Sequence, residues 1–363
     1  MSYYIIPKIH DCIYLDPKYV DTEPSEPYIS NSLLQYYKEL REEIELFFKT
    51  FHSETNAFKS YKEICRIINP YEYIFTKIPG LKISVSKLKT VSRLFYDLFE
   101  VSNTLNVFDN YTNKPMKTLH ITQQNNNVTE CLKLVREGLN DDITSYDDLN
   151  DDVFSELTNN KFDFVFFDTN RENYNSYVTS LMKCLMIIFR NQELDGVCIL
   201  KIGRLFHRPL IDVLYLLASL YSKVYIIKPN TSNISSFEKY IVCKKFQYTE
   251  HKASCFKYNY YKLLVFLKKI DERYVDTLFN TKIPYYFISK IEDLNVNLGQ
   301  QQIDTLELIV NILKSKNCEE KIENIKKTNV QKSVAWCEKY KIPFNILYEK
   351  TNMFLPVVKA LDV

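Results

Sequence analysis

Residues 196–246 read GVCILKIGRLFHRPLIDVLYLLASLYSKVYIIKPNTSNISSFEKYIVCKKF, and this stretch decides the fold. An apolar strand pattern over 196–202 is followed by a helical pattern over 209–220 and by further strand patterns over 223–227 and 238–244. Strands that alternate with helices in this way predict a doubly wound, mostly parallel α/β sheet. Because a turn and not a helix separates the last two strands, the sheet is predicted to end in an antiparallel strand.

The same alternation extends upstream. Residues 162–167 read FDFVFF, a nearly continuous apolar run typical of a strand that is buried on both faces of a sheet, and Asp168 follows it directly. Ligands bind at the carboxyl ends of such strands. The patterns also predict a helix over 174–189, a strand over 117–122 and a helix over 129–139.

An acidic run, NDDITSYDDLNDD at 140–152, interrupts the alternation. No strand or apolar shell is expected to organise its carboxylates. We therefore interpret the run as a solvated loop that supplies helix caps, and not as a metal site.

Helical segments are predicted on both sides of this central region. The first 29 residues, rich in proline and tyrosine, are expected to form an irregular arm that packs through its aromatic rings. Helices are predicted over 30–51, 61–68, 91–101, 303–315 and 330–340. We divide the chain into an N-terminal arm and helical layer (1–85), a central α/β domain (86–248) and a C-terminal helical extension (249–363).

Composition excludes several classes of site. The 363 residues include only five glycines, all far apart, so the chain lacks the glycine cluster of a dinucleotide-binding loop. Nine cysteines without CxxC spacing predict free thiols, and His120 and His207, without partners at ligand spacing, are expected to be satisfied structural residues and not zinc ligands. A net charge of +2 means that any contact with RNA must come from a local patch. The absence of a signal-peptide pattern and of a membrane-spanning apolar run predicts a soluble, cytoplasmic protein.

Residues 196–246 resemble the C-terminal half of the FtsJ-like RNA ribose 2′-O-methyltransferases. The shared features are a strand ending in Lys, a long helix, a strand ending in Lys-Pro, a serine-containing turn, and a Glu shortly before Tyr-Ile-Val. Upstream, FDFVFFD (162–168) is similar to the strand with the family's catalytic Asp, and VSRLFYDLFEVSNTLNVF (91–108) to the helix with its first catalytic Lys. The resemblance, which covers residues 90–246, implies a Rossmann-like methyltransferase fold.

Members of that family use a Lys-Asp-Lys-Glu tetrad, because methylation of a ribose hydroxyl requires a base whose pKa is tuned toward neutral pH. The resemblance places the Asp at Asp168, the second Lys at Lys201 and the Glu at Glu238. At the first Lys position this chain has Asp97, which has the wrong charge to orient the acceptor or assist the base. The alternative is that Lys201 is a strand-end lysine and Asp168 a helix cap.

The cofactor loop also departs from the family pattern. Where the family has a Gly-rich turn for S-adenosylmethionine, this chain reads TLHITQQNNNVTECL (118–132), with Gln124, Asn125, Asn126 and Asn127 at the turn. Asparagine adopts left-handed φ more easily than most residues, so the turn can form, but the side chains would crowd the methionine group. With residues 140–152 taken as a loop, the strand that offers a carboxylate to the cofactor ribose is shortened or lost. No cofactor is expected.

Within this superfamily the chain is similar to the small stimulatory subunits of poxvirus mRNA-capping enzymes, most clearly over ILKIGRLFHRPLIDVLYLLASLYSKVYIIK (199–228). Such a subunit has the fold but does not catalyse. The resemblance implies a partner, the catalytic guanine-N7 methyltransferase subunit, which this chain binds and activates. If the chain is viral, its cytoplasmic location would be a viral factory or virion, and the residues themselves predict neither a metal site nor a membrane partner.

Two other interpretations stay open. The retained Lys-Pro turn and the glutamate after it are features of active cap-ribose methyltransferases of large DNA viruses, so the chain could be an S-adenosylmethionine-dependent RNA 2′-O-methyltransferase in which Lys87 or Lys89 replaces the missing lysine. It could instead be an RNA-binding module. Arg204, His207 and Arg208, at the rim of the sheet, could contact RNA phosphate or an acidic partner face.

Overall fold

The computed structural model describes residues 3–24, 26–50, 60–90, 92–158, 160–169, 173–248, 250–270, 272–315 and 318–345. The helices in these ranges are α1 (Asn31–Thr50), α2 (Tyr61–Ile68), α3 (Arg93–Thr104), α4 (Asn125–Val135), α5 (Asp151–Glu156), α6 (Tyr174–Asn191), α7 (Arg208–Leu220), α8 (Glu250–Leu267), α9 (Tyr285–Lys314) and α10 (Cys318–Lys339). The strands are β1 (Tyr3–Ile6), β2 (Lys18–Val20), β3 (Lys117–Ile121), β4 (Asp142–Tyr146), β5 (Phe162–Asp168), β6 (Gln192–Ile202), β7 (Tyr221–Ile227), β8 (Lys239–Phe246) and β9 (Tyr274–Thr277).

A mixed sheet forms the centre of the protein, with the strand order β1-β7-β8-β6-β5-β3-β4. β3 pairs in parallel with β4 and β5, and β5 pairs in parallel with β6. β8 lies between β6 and β7 and is antiparallel to both. The predicted mostly parallel sheet is confirmed, but its antiparallel hairpin strand is inserted within the sheet instead of ending it.

β5 shows why this sequence forms a central strand. Phe164 and Phe166 pack on one face of the sheet in a cluster with residues of α3, α4 and α10, whereas Val165 and Phe167 pack on the other face against α6 and α7. All four side chains are fully buried. Because helices cover both faces, the strand is an unbroken apolar run, and the doubly wound arrangement follows.

The N-terminal segment is more regular than the arm we expected. Tyr3–Ile6 pairs antiparallel with β7 and forms one end of the sheet, and Lys18–Val20 pairs with β9. Both strands are short, and their partners lie more than two hundred residues further along the chain, so no local pattern indicates the pairing. The expectation of an irregular arm is therefore wrong for these two segments.

The acidic run was also misinterpreted, because residues 140–152 contain β4 and the start of α5. β4 is the last strand of the sheet and none of its five side chains is fully buried. An edge strand of this kind needs no apolar run, which is why its pattern resembles a loop. The side chain of Asn150 accepts a hydrogen bond from the Val153 backbone N–H, so the predicted capping role is confirmed.

The helical extensions pack together beside the sheet. A separate apolar cluster joins α1 and α2 to α9 and α10, with Ile44, Ile64 and Leu306 fully buried in it. A Cβ at Gly299 would lie 2.5 Å from the Leu33 side chain, so the glycine permits α1 and α9 to cross closely.

The predicted helix from 91 is confirmed from residue 93, although Val91 lies outside the described residues.

The C-terminal helices α9 and α10 are longer than the two helices predicted there, and α8 was missed. On α8 apolar side chains are buried, among them Phe256 and Leu263, but Tyr258, Tyr261 and Val265 are exposed. Because both sides of the helix carry apolar residues, it gives only a weak helical periodicity. None of the helices in the described ranges has the length and apolar character needed to cross a bilayer.

Candidate functional site

Three of the four predicted tetrad residues meet at the carboxyl edge of the sheet. Asp168 ends β5, Lys201 lies near the end of β6, and the two residues are register partners. Glu238 directly precedes β8, which pairs with β6 on its other side. The Lys201 Nζ atom lies 3.4 Å from Asp168 Oδ2 and 3.4 Å from Glu238 Oε1. The three strand patterns are thus sufficient to bring these side chains together.

The charge of Lys201 is fixed by the acids around it. Burial lowers the pKa of Lys201, but Asp168, Glu238 and Asp97 together outweigh this, and the pKa lies above its usual 10.5. A lysine that acts as a general base at neutral pH needs a lowered pKa. In this arrangement the Lys201 ammonium instead holds two carboxylates together at the strand ends.

Asp97, at the position of the first tetrad lysine, is 2% exposed and bound within the protein. It accepts hydrogen bonds from the Thr231 hydroxyl, at 2.5 Å, and from the Tyr240 hydroxyl, at 3.1 Å. Burial raises the pKa of Asp97 to about 6, although the hydrogen bond from Thr231 acts in the opposite direction. The sequence indicated the charge at this position but neither of its two partners.

A second buried carboxylate reinforces this contact. Glu100, one helical turn after Asp97, accepts a hydrogen bond from the Thr231 backbone N–H, and its Oε2 atom lies 3.3 Å from the Thr231 hydroxyl. Burial raises the pKa of Glu100 as well. Two acids on α3 therefore hold the turn between β7 and β8, the same turn that leads to Glu238.

The loop after β3 is docked on the start of α3. The helix α4 begins at Asn125 and not at residue 129, so the three asparagines lie in its first turn and none has the positive φ that a left-handed turn requires. Gln124 accepts a hydrogen bond from the Ser92 hydroxyl at 2.6 Å, and Asn127 accepts one from the Ser92 backbone N–H at 3.1 Å. Asn126 is exposed. These side chains lie at the turn where the family pattern has a Gly-rich loop with bare backbone, and two of them are hydrogen-bonded to Ser92.

The strand expected to be shortened or lost is present, because β4 pairs with β3 over its five residues. The next residue after β4 is Asp147, whose Oδ1 atom accepts a hydrogen bond from the Asn125 amide at 3.1 Å. A carboxylate thus stands at the end of this strand after all. Its partner is a side chain from the loop described above.

A polar cavity of about 600 Å³ opens beside the trio of Asp168, Lys201 and Glu238. Glu238 forms part of its wall, together with Arg204 and His207, two of the residues predicted to contact RNA or a partner. Arg93 also lines it, and sequence reasoning missed this residue although it lies one helical turn before Asp97. The Arg93 guanidinium is paired with Glu72.

The remaining predicted residues lie elsewhere. Arg208 donates hydrogen bonds to Asp212, to the Tyr28 hydroxyl and to the Thr281 carbonyl, so its guanidinium serves the fold. Lys87 and Lys89 are exposed, and no contact joins their side chains to the trio in the described ranges. Those ranges also contain no group of three His, Cys, Asp or Glu side chains placed to hold a metal ion.

His120, at the centre of β3, is not the satisfied histidine we expected. It is fully buried, and neither ring nitrogen has a hydrogen-bond partner among the described residues. Its ring instead meets Phe164 edge-to-face at 6.2 Å. Burial lowers the pKa of His120 to about 3, so the ring is neutral in the folded protein.

We expect His120→Leu to stabilise the protein increasingly as the pH falls. Between the unfolded value near 6.5 and the folded value near 3, only the unfolded state of the parent protein protonates this ring, so the parent loses stability that the variant keeps. The difference in unfolding free energy should grow by about 1.4 kcal/mol per pH unit and reach about 2 kcal/mol at pH 5. Urea unfolding at pH 7.5 and pH 5 measures it. His10→Leu, at an exposed position, is the control, and a pH-independent difference for His120→Leu would contradict the prediction.

Comparison with known proteins gives one family. Residues 101–246 match the FtsJ-like methyltransferase family. No curated protein sequence matches the chain significantly. The match includes β3 to β8 and the trio, and it omits Asp97.

Among solved structures, similar chains include a Plasmodium falciparum protein named as a ribosomal RNA methyltransferase (16% identity, 43% of this chain and 98% of that one, TM-score 0.32). Others are a Corynebacterium glutamicum protein named as a spermidine synthase (9% identity, 56% and 88%, TM-score 0.33) and an S-adenosylmethionine-dependent methyltransferase of Clostridium acetobutylicum (14% identity, 47% and 80%, TM-score 0.21). Residues 101–246, less than half of the chain, are therefore similar to the FtsJ-like methyltransferases, and they contain most of the sheet into which one antiparallel strand is inserted.

Proposed function

We propose that the chain is a non-catalytic, methyltransferase-like subunit of an mRNA-capping apparatus that binds and stimulates a catalytic guanine-N7 methyltransferase. The observation that carries the proposal is the state of Asp97. Its carboxylate is buried and held by Thr231 and Tyr240, so the first tetrad position offers no cation to an acceptor hydroxyl. The nearby cation on α3, Arg93, is already paired with Glu72.

The other tetrad positions support the same proposal. The pKa of Lys201 is raised by its carboxylate neighbours, so this lysine holds its proton at neutral pH. The ion pairs of Lys201 link the ends of β5 and β6 to the residue before β8. Groups that would act on a substrate in an enzyme here connect structural elements to one another.

The loop after β3 supports it independently. Gln124 and Asn127 bind Ser92 at the start of α3, and Asn125 binds Asp147. Binding of S-adenosylmethionine would require these contacts to break and the side chains to leave. The free energy of those hydrogen bonds opposes cofactor binding.

A subunit that acts through a partner needs a surface for it. On α8, Tyr258, Tyr261 and Val265 recur at helical spacing with 44%, 53% and 49% of their surface exposed. Tyr14 packs edge-to-face on Tyr258 and extends this patch. Exposed aromatic residues in a group are typical of protein interfaces.

We expect no heat of binding when the purified protein is titrated with S-adenosylmethionine or its demethylated product up to millimolar concentration. Isothermal titration calorimetry measures this, with Lys201→Ala as a control for nonspecific heat. In a second assay, the protein should stimulate methyl transfer to capped RNA by the guanine-N7 methyltransferase of the same genome, and Lys201→Arg, which keeps a cation between Asp168 and Glu238, should stimulate equally. Micromolar binding of S-adenosylmethionine by the parent protein would contradict the proposal.

The second candidate is an active RNA 2′-O-methyltransferase. The 3.4 Å contacts of Lys201 with Asp168 and Glu238 favour it, as does the presence of Asp147 at the end of β4. This candidate predicts transfer of a labelled methyl group to a ribose hydroxyl by the protein alone. Loss of that transfer in Lys201→Ala would identify the trio as catalytic.

A further inference from the structure

Two cysteines from distant parts of the chain meet where the N-terminal segment crosses α8. Cys12 lies between β1 and β2 and is exposed, whereas Cys255 lies in the second turn of α8 and is 2% exposed. The Cys255 thiol donates a hydrogen bond, at 3.3 Å, to the carbonyl oxygen of Ile13, the residue after Cys12. The Cys12 and Cys255 thiols are also in hydrogen-bond contact with each other. The two sulfur atoms are therefore neighbours, although more than two hundred residues separate them in sequence.

The crossing is held in place by Asn259, one helical turn after Cys255. The Asn259 amide donates to the Ile13 carbonyl at 2.9 Å, and its Oδ1 atom accepts from the Leu15 backbone N–H at 2.8 Å. Asn259 is 1% exposed, so water competes poorly for these hydrogen bonds. Two cysteines can be bridged only where the backbone already brings them together. Asn259 fixes the backbone next to Cys12 against α8 and so supplies this condition.

The two thiols differ in their access to solvent and in their charge. Burial, together with the neighbouring Cys12 thiol, raises the pKa of the Cys255 thiol to about 11, although the Lys252 ammonium acts in the opposite direction. Cys255 therefore holds its proton at neutral pH and is shielded from reagents in solution. Cys12 is exposed to them. An oxidant in solution should react first at Cys12, and Cys255 is placed to react in the second step.

A second pair of neighbouring cysteines shows why this exposure matters. Cys198 on β6 and Cys243 on β8 are cross-strand register partners. Both are fully buried in the sheet, so a reagent in solution reaches neither of them. Proximity alone is therefore not sufficient for oxidation in the folded protein. Cys12 and Cys255 combine proximity with one accessible thiol.

We propose that Cys12 and Cys255 form a reversible disulfide that links the N-terminal segment to α8 when a small-molecule disulfide, such as oxidised glutathione, is present. The Cys12 thiolate attacks one sulfur of oxidised glutathione and releases one glutathione thiolate. The Cys255 thiol then gives up its proton and attacks the Cys12 sulfur of the mixed disulfide, which releases the second glutathione thiolate. Two protein thiols are thereby oxidised to one disulfide, and one glutathione disulfide is reduced to two thiols.

The disulfide would act on the N-terminal segment. It closes a loop that includes most of the chain, and such a link stabilises a protein chiefly by restricting its unfolded state. It also holds Tyr14, two residues after Cys12, against Tyr258 of α8. The proposal goes beyond the proposed function, because the reaction requires neither a partner subunit nor a methyl donor.

The test is incubation of the full chain with oxidised glutathione at mildly alkaline pH, followed by denaturation, alkylation of the remaining thiols and peptide mass spectrometry. We expect a linked peptide pair that contains Cys12 and Cys255, whereas Cys198 and Cys243 should be recovered alkylated. The oxidised protein should melt about 5 °C higher than the reduced protein, and dithiothreitol should reverse this shift.

Three variants separate the two steps. Cys255→Ser should stop at the mixed disulfide, with glutathione on Cys12 and no gain in melting temperature. Cys12→Ser should leave Cys255 reduced. Cys318→Ser is the matched control, because Cys318 is a partly exposed cysteine away from α8, and it should form the linked pair like the parent protein.

The proposal is overturned if the parent protein retains glutathione on Cys12 without forming the link, or if Cys12 pairs with another cysteine. It is also overturned if Cys255→Ser gains the same melting temperature on oxidation. Since the reaction mixture contains no partner subunit, RNA or methyl donor, failure of the proposed function leaves each of these outcomes unaffected.

Discussion

Lys228→Met is expected to lower the free energy of unfolding by about 4 kcal/mol and to release the turn before β8. Lys228 is 8% exposed, and its Nζ atom donates hydrogen bonds to the carbonyls of Asn233, Ser236 and Glu238 at 2.7 to 3.0 Å. Methionine keeps the apolar stem of the side chain and removes the donors. Three carbonyl oxygens then lose a charged donor in a buried site, where water replaces it poorly.

Urea unfolding followed by circular dichroism measures this loss. Lys244→Met is the matched control, because the Lys244 ammonium also donates to two carbonyls, those of Leu105 and Asn106, but from a partly exposed position. The control should lose no more than about 1 kcal/mol. If the two variants lose the same amount, burial of the Lys228 ammonium is not what stabilises the turn.

The turn also connects the candidate site to the rest of the fold. Thr231 in this turn binds Asp97 and Glu100, and Glu238 at its end pairs with Lys201. Release of the turn would therefore separate Glu238 from Lys201 and leave two buried carboxylates without their hydroxyl partner. The relative positions of Asp168, Lys201 and Glu238 therefore depend on the turn between β7 and β8 as much as on the strands.

The meeting of Asp168, Lys201 and Glu238 could be predicted from sequence because each follows, ends or precedes a clear strand pattern. Parallel strands place their carboxyl ends at one edge, so the strand assignment alone brings these residues together. The sheet was predictable for the same reason, since burial on both faces gives long apolar runs. The helix of Asp97 was equally clear from its periodicity.

The partners of those residues were not predictable. The contacts of Asp97 with Tyr240, and of Ser92 with Gln124 and Asn127, join residues distant in sequence, and a hydroxyl or amide in a turn shows no pattern that names its partner. β1 was missed because its pairing is with a remote strand. The position of Arg204 in a bounded cavity depends on α1, which no motif links to the central domain.

The acidic run that begins before β4 illustrates a further limit. An aspartate-rich stretch is usually a solvated face, and β4 itself has no apolar run. However, Asp141, directly before this strand, is only 7% exposed at its side chain and forms a two-contact ion pair with Arg136, at 2.6 and 2.9 Å. The guanidinium also donates to the carbonyls of Tyr111 and Lys114. One carboxylate of the run, that of Asp141, is therefore buried and stabilises the segments at which β3 and β4 begin.

We expect Arg136→Met to lower the free energy of unfolding by about 4 kcal/mol, because it leaves the Asp141 carboxylate buried without its cation. The double variant Arg136→Met with Asp141→Leu removes both charges. Its loss of unfolding free energy should be about 2 kcal/mol smaller than the sum of the losses in the two single variants. Urea unfolding of the two single variants and the double variant measures this coupling. Lys326→Met, which breaks a more exposed pair with Glu323, is the control and should change stability by no more than about 0.5 kcal/mol. Additive losses in the double variant would mean that Arg136 acts through its carbonyl contacts and that Asp141 is, after all, part of a solvated acidic face.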